Sequence, residues 1–95
     1  MTEAEAKKEI DETVDWFAKE MKAKLYANIH KGGWKKERKD VLVARMFEEA
    51  SELAREMATP ILDPQEIASE AADVANFAMF IADAARAARL KGATA

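Results

Sequence analysis

The clearest helical segment of the sequence is DPQEIASEAADVANFAMFIADAARAARL, residues 63–90. It opens with a strong helix start, in which Asp63 can cap the helix, Pro64 takes the first helical position and Glu66 the third. Basic residues gather near the other end, where they suit the negative pole of a helix: Arg86, Arg89 and Lys91. The pattern predicts a long helix that ends near Leu90, with Gly92 as the stop signal.

A second helix is predicted immediately before this one, from Asp40 as N-cap to about Ala58. Its predicted apolar face is Leu42, Val43, Met46, Phe47, Ala50, Leu53, Ala54 and Met57. The short connector Thr59–Leu62, which contains Pro60, separates the two helices.

A third helix is predicted at the start of the chain, from Thr2 to Ile29. Thr2 and Glu5 have capping-box spacing, and paired glycines in the segment His30–Trp34 end the helix. Its apolar stripe is Ile10, Val14, Phe17, Met21, Leu25 and Ile29. A second apolar face of this helix, with Trp16, Ala23 and Ala27, suggests that another subunit packs there.

These elements predict an all-α protein in which long antiparallel helices form a helical bundle within a single domain, residues 1–95. Of the 95 residues, 49% are hydrophobic, but many of these are alanines, which bury little area. Because so short a chain builds a marginal core, we expect oligomerisation to complete the bundle.

Composition excludes several classes of function. The net charge of −3 gives no general attraction to nucleic acid or to an anionic membrane. The absence of cysteine excludes disulfides, zinc–thiolate sites and thiol nucleophiles. No apolar run reaches the roughly 18–20 residues that span a bilayer, and the charged N-terminus lacks a signal core. We therefore expect a cytoplasmic protein that binds neither nucleic acid nor membrane.

Carboxylates recur at helical spacing on the second and third helices. Glu49 and Glu52 lie on the edge of the predicted apolar face of the second helix, whereas Glu48 points away from Glu49. Glu70 and Asp73 fall inside the apolar sector of the third helix. The pattern thus marks an acidic core within residues 40–90.

A divalent cation explains acids on buried faces, because unpaired buried carboxylates cost several kcal/mol or become protonated. Oxygen ligands favour Mg²⁺, with Mn²⁺ possible. The alternative interpretation is that these are ordinary surface acids paired with Lys and Arg, which two inward-facing pairs disfavour. A di-iron bundle would need Glu-x-x-His motifs, and the single histidine, His30, is remote from the acids in sequence.

The sequence Glu48-Glu49-x-x-Glu52, a spacer of seventeen residues and Glu70-x-x-Asp73 resembles the signature of the MazG-like, all-α nucleoside triphosphate pyrophosphohydrolases. Two further segments, KGGW at residues 31–34 and DVANFAM at residues 73–79, resemble a compact single-domain subgroup. The resemblance covers roughly residues 28–85.

This resemblance implies Mg²⁺-dependent hydrolysis of a nucleoside triphosphate to the monophosphate and pyrophosphate, in a house-cleaning role. It implies a homodimer or a dimer-of-dimers tetramer. The implied metal ligands are Glu49, Glu52, Glu70 and Asp73, and Glu48 is a candidate for orienting or deprotonating water. The implied catalytic pair is thus Glu48 and Glu49.

Positive and polar side chains are also needed on the substrate side. Lys31 is the preferred phosphate contact, and Trp34 either stacks on a base or closes the core. Asn76 lies one turn after Asp73, where it could bond a sugar hydroxyl, a phosphate oxygen or a metal-bound water. Asp83 is a lower-ranked candidate.

Two other functions compete with this interpretation. One is phosphoribosyl-ATP pyrophosphohydrolase, which relies on similar acidic residues. The other is a non-catalytic helical oligomerisation or nucleotide-binding module, which would be insensitive to Mg²⁺.

Overall fold

The computed structural model describes the backbone of residues 1–94 and the side chains of residues 1–89. Three α-helices account for most of this part of the chain: α1 (Glu3–Ala27), α2 (Lys39–Met57) and α3 (Pro64–Thr94). A 3-10 turn, Ile29–Lys31, follows α1. The described residues contain no strand, so the predicted all-α class is confirmed.

The start of α1 is the predicted capping box. The Thr2 hydroxyl accepts a hydrogen bond from the Glu5 amide at 3.1 Å, and the Glu5 carboxylate accepts one from the Thr2 amide at 3.0 Å. The helix ends two residues before the predicted Ile29. Asn28 is the C-cap residue, and both its backbone amide and its side-chain amide donate to the Lys24 carbonyl, at 3.2 and 3.0 Å. Gly32 then takes a φ of 87°, a conformation that favours glycine.

The predicted N-cap of α2 is wrong. Arg38 is the N-cap residue, without a capping side chain, and Asp40 lies inside the first turn. The Arg38 guanidinium bonds the Asp40 carboxylate at 2.6 and 3.1 Å. An acid in the first turn still opposes the positive pole of the helix, so its charge is useful there without capping.

The predicted start of α3 is confirmed, and its predicted end is wrong. The Asp63 carboxylate accepts from the amides of Gln65 and Glu66 at 3.0 and 3.4 Å. The helix continues through Gly92 to Thr94, because one glycine costs only about 1 kcal/mol in a helix and need not end it. The side chain of Lys91, also invoked for the helix end, lies outside the described residues.

α3 is the central element. α2 packs antiparallel to it, as the pairs Trp34–Asp83 and Arg45–Phe77 demonstrate. The C-terminal half of α1 packs on α3 as well, whereas in the described residues α1 and α2 do not contact each other. The buried residues form a short row along α3 and one position on α2: Ala68, Ala72, Asn76 and Leu42.

The face that α2 turns toward α3 differs from the predicted apolar face. Besides the buried Leu42, the half-buried positions include Met46, Glu49 and Leu53, a 4-3-4 spacing typical of packed antiparallel helices. Glu49 therefore lies within the packed face and not at its edge. Five residues predicted as apolar core are exposed instead: Val43, Phe47, Ala50, Ala54 and Met57.

The folded chain is more extended than a compact domain. Its radius of gyration is 16.1 Å, compared with about 12 Å for a compact chain of this length. The N-terminal half of α1 extends beyond the contact with α3, and Ile10, Val14 and Trp16 are all more than half exposed there. Of the predicted α1 stripe, Phe17, Met21 and Leu25 are half-buried, while Ile29 is exposed.

Candidate metal centre

Three carboxylates from two helices converge where α2 meets α3. Glu49 comes from the packed face of α2, and Glu70 and Asp73 come from α3 one turn apart. One oxygen of each lies within 4.8 Å of the others, and all three residues are half-buried. The structure thus brings together three of the four predicted ligands.

The fourth predicted ligand, Glu52, lies beside this group. It is half-buried and close enough for its charge to raise the pKa of both Glu49 and Glu70. Its carboxylate is not among the three that share the 4.8 Å neighbourhood. We describe these four acids, Glu49, Glu52, Glu70 and Asp73, as the acidic cluster.

Without a cation, the acidic cluster is electrostatically unfavourable, because its carboxylates repel one another. Burial, with the charges of Asp73 and Glu52 in addition, raises the pKa of Glu49 to about 7. Burial also raises the pKa of Glu70, with further contributions from Glu52 and Asp73. The Oε2 atom of Glu70 is buried without a hydrogen-bond partner among the described residues. An unpaired buried acceptor is costly, so the arrangement is suited to a cation.

Lys24 of α1 supplies a positive charge that the sequence interpretation missed. Its ammonium nitrogen lies 3.2 Å from Oδ2 of Asp73, and its charge opposes the rise in the pKa of Glu70. Its spacing of three residues from Met21 places Lys24 near the predicted apolar stripe of α1, but that spacing alone does not reveal that it borders the cluster.

Asn76, a predicted substrate residue, lies one turn beyond Asp73 and is only 4% exposed. Its amide donates to the backbone carbonyl of Met21 at 3.1 Å and so joins α3 to α1. Its Oδ1 atom, like the Glu70 oxygen, is buried without a partner among the described residues. Asn76 therefore has a structural bond and one free acceptor.

Glu48, the predicted catalytic acid, lies away from the packed face of α2, as its helical position predicts. It is exposed and pairs with Arg45 at 3.6 Å. The structure does not bring it into the three-carboxylate group, and its catalytic role stays a prediction.

The two other predicted substrate residues, Lys31 and Trp34, precede α2 in the chain. Trp34 stacks on Phe80 with ring centroids 4.5 Å apart and donates to Asp83 at 2.9 Å. Lys31 is exposed in the 3-10 turn. Trp34 thus closes the aromatic end of the α2–α3 contact, which was the alternative role considered for it.

Asp83 organises this aromatic end. It accepts from Trp34 and Lys35 through one oxygen and from Arg86 through the other. These hydrogen bonds hold the pKa of Asp83 well below its usual range. Its partners occupy Asp83 with structural bonds, and the neighbouring half-open cleft of about 220 Å³ has none of the acidic cluster in its lining.

Comparison with known protein families, with curated proteins and with solved structures finds no match to this chain. Within the described residues, no helix combines the length and apolarity needed to cross a membrane.

Proposed function

We propose that this protein is a Mg²⁺-dependent nucleoside triphosphate pyrophosphohydrolase of the MazG-like type. The observation that carries the proposal is the convergence of Glu49, Glu70 and Asp73, whose oxygens lie within 4.8 Å of one another on two packed helices. These residues belong to the sequence pattern that resembles the family. The spacing and the three-dimensional convergence therefore support the same assignment.

The donor set fits a hard divalent cation. All candidate donors are carboxylate oxygens, which Mg²⁺ and Mn²⁺ prefer, and the unpartnered Glu70 Oε2 offers a buried acceptor. Glu49, Glu70 and Asp73 would hold the ion, with Glu52 as the adjacent fourth ligand. A bound ion would neutralise phosphate charge and activate water for attack.

The chain's own side chains would position the substrate around this centre. Glu48 lies at the exposed side of the same helix, where it could orient or accept a proton from water. Asn76 has a free acceptor one turn from Asp73. Lys31 would reach the nucleotide from the exposed turn after α1, whereas Trp34 is held by Phe80 and Asp83.

Oligomerisation is part of the proposal. The exposed apolar residues of α1 and α2 form surfaces that a monomer would leave in water, including Phe47 at 64% and Ile10 at 60% exposure. A second copy of the chain would cover them in a homodimer or a dimer-of-dimers tetramer, and so complete the helical bundle. A house-cleaning role in the cytoplasmic nucleotide pool belongs to the same proposal.

The test is incubation of the purified protein with Mg²⁺ and a panel of ribo- and deoxynucleoside triphosphates, including phosphoribosyl-ATP. We expect release of pyrophosphate and a nucleoside monophosphate. Orthophosphate alone, or no turnover of any nucleotide, contradicts the proposal. Turnover confined to phosphoribosyl-ATP supports the related pyrophosphohydrolase instead.

The non-catalytic module makes a different prediction. For such a module, Mg²⁺ would leave the melting temperature unchanged. A metal-binding centre predicts that Mg²⁺ raises the melting temperature of the wild type, and raises it much less in an Asp73→Asn variant.

A further inference from the structure

Lys24 is the one cationic side chain that contacts the acidic cluster among the described side chains. Its Nζ lies 3.2 Å from Asp73 Oδ2, and the two side chains are 32% and 22% exposed. The other recorded ion pairs involve acids outside the cluster. This ammonium thus pairs with one of the four carboxylates, Asp73, and its charge also acts on Glu70.

The position of Lys24 suits two ligands in turn. A divalent cation that binds Asp73 would share with Lys24 the carboxylate that the ammonium now contacts, so the two positive charges would compete for it. A lysine ammonium is a compact charge on a flexible stem, so it can leave the carboxylate without movement of α1. Its partial exposure leaves it a route toward a ligand that approaches from solvent.

Under the proposed function, that ligand is the nucleoside triphosphate. A nucleoside triphosphate brings several negative charges to a site that already contains four acids, and one divalent cation neutralises only part of the total. The ammonium of Lys24 contacts the cluster. Lys31 is exposed in the turn after α1 and makes no ion pair with the cluster among the described residues.

We propose that Lys24 is a substrate-binding residue, which competes with the divalent cation for Asp73 and then contacts a phosphate oxygen of the nucleoside triphosphate. This inference rests on the proposed function. A purely structural role is the alternative, since Lys24 also lies in the last turn of α1, where a positive charge is favourable. Asn76 already joins α1 to α3 nearby.

The experiment compares Lys24→Met, which keeps the stem and removes the charge, with Lys22→Met, which removes the same charge from an exposed position of the same helix. The first measurement is Mn²⁺ binding without nucleotide, by electron paramagnetic resonance. We expect Lys24→Met to bind Mn²⁺ about three- to tenfold more tightly than Lys22→Met, because its competitor for Asp73 is gone.

The second measurement is steady-state hydrolysis. We expect Lys24→Met to raise KM at least about tenfold, the effect of losing a charge-assisted hydrogen bond to phosphate. The value of kcat should change little, and Lys24→Arg should restore most of the affinity. A lower melting temperature with Mn²⁺ affinity and KM equal to those of Lys22→Met would show a structural role and overturn the proposal.

The two failures are distinguishable. If the wild type binds Mn²⁺ but hydrolyses no nucleotide, the proposed function fails, and the substrate role of Lys24 fails with it. If the wild type hydrolyses nucleotides and Lys24→Met behaves as Lys22→Met in both measurements, only the Lys24 proposal fails. A wild type that binds no Mn²⁺ overturns both.

Discussion

Two neighbouring faces of α2 depart from the usual distribution of polarity. The face against α3 carries Glu49 in the same row as Leu42, Met46 and Leu53. The neighbouring stripe, about 90° around the helix, is apolar throughout and exposed: Val43, Phe47, Ala50, Ala54 and Met57. Stability of a monomer alone would favour a rotation of α2 by about 90°, which would bury the apolar stripe. Glu49 on the packed face and the exposed stripe therefore each need an explanation other than the core of one chain.

Each face indicates a different kind of partner. Acids on a packed face incur a desolvation cost that a bound cation can offset. An exposed apolar stripe incurs a hydration cost that a second helix can offset. Under the proposed function, the first face belongs to the metal and the second to another copy of the chain. A third face, which includes Ala44 and Ser51, is exposed and needs neither.

Glu49→Gln should have the largest effect on the packed face. We expect it to reduce Mg²⁺-dependent pyrophosphate release at least about a hundredfold, since it removes a central ligand. Glu12→Gln, which removes the same charge from an exposed position of α1, is the control and should keep full activity. Equal activities of the two variants in a pyrophosphate-release assay would break the distinction between the faces.

Phe47→Lys should have the largest effect on the exposed stripe. We expect it to weaken self-association at least about a hundredfold, because a charge would be buried against an apolar partner. Sedimentation equilibrium measures the dissociation constant. Ala44→Lys adds the same charge to the third face and should associate as the wild type does. A monomeric wild type would show that a second copy does not cover the stripe.

The pH dependence of stability should be smaller. A carboxyl whose pKa is raised on folding keeps its proton more tightly in the folded state, so metal-free protein should lose stability as pH rises from about 4.5 toward 7. For the half-buried Glu49 we expect about 1–2 kcal/mol, after allowance for solvent screening.

Thermal unfolding in EDTA between pH 5 and pH 8 measures this effect. Glu49→Gln should remove most of the decline, and Mg²⁺ should oppose it in the wild type. Wild-type stability that stays level or rises over this range would contradict the strained cluster.

Sequence reasoning could predict features that depend on local chemistry. The Thr2 capping box and the Asp63 helix start need only residues within one turn, and both are present. Glu70 and Asp73 share a face because they are three residues apart on one helix. Their approach to Glu49 was also predicted, because acids on two buried faces of neighbouring helices are expected to meet.

The rotation of α2 could not be read from its sequence. Phe47 and Met57 belong to a stripe more apolar than the one that is packed, so periodicity alone favours a face that includes them. Contacts with α3 and the preceding turn select the other face. Lys24 was missed for a related reason, since only the packing of α1 on α3 reveals that a lysine on α1 borders the cluster.

The rest of the chain contacts α3 at separate points along its length. Asp83 lies at the aromatic end and Asp73 in the acidic cluster, ten residues and about 15 Å apart along the helix. Asn76 and Asp73 bond to α1. Removing one residue of α3 between Asn76 and Asp83 would rotate Asp83 about the helix axis by about 100° relative to Asn76 and Asp73. The number of residues between these points therefore helps to keep Glu49 aligned with its partners.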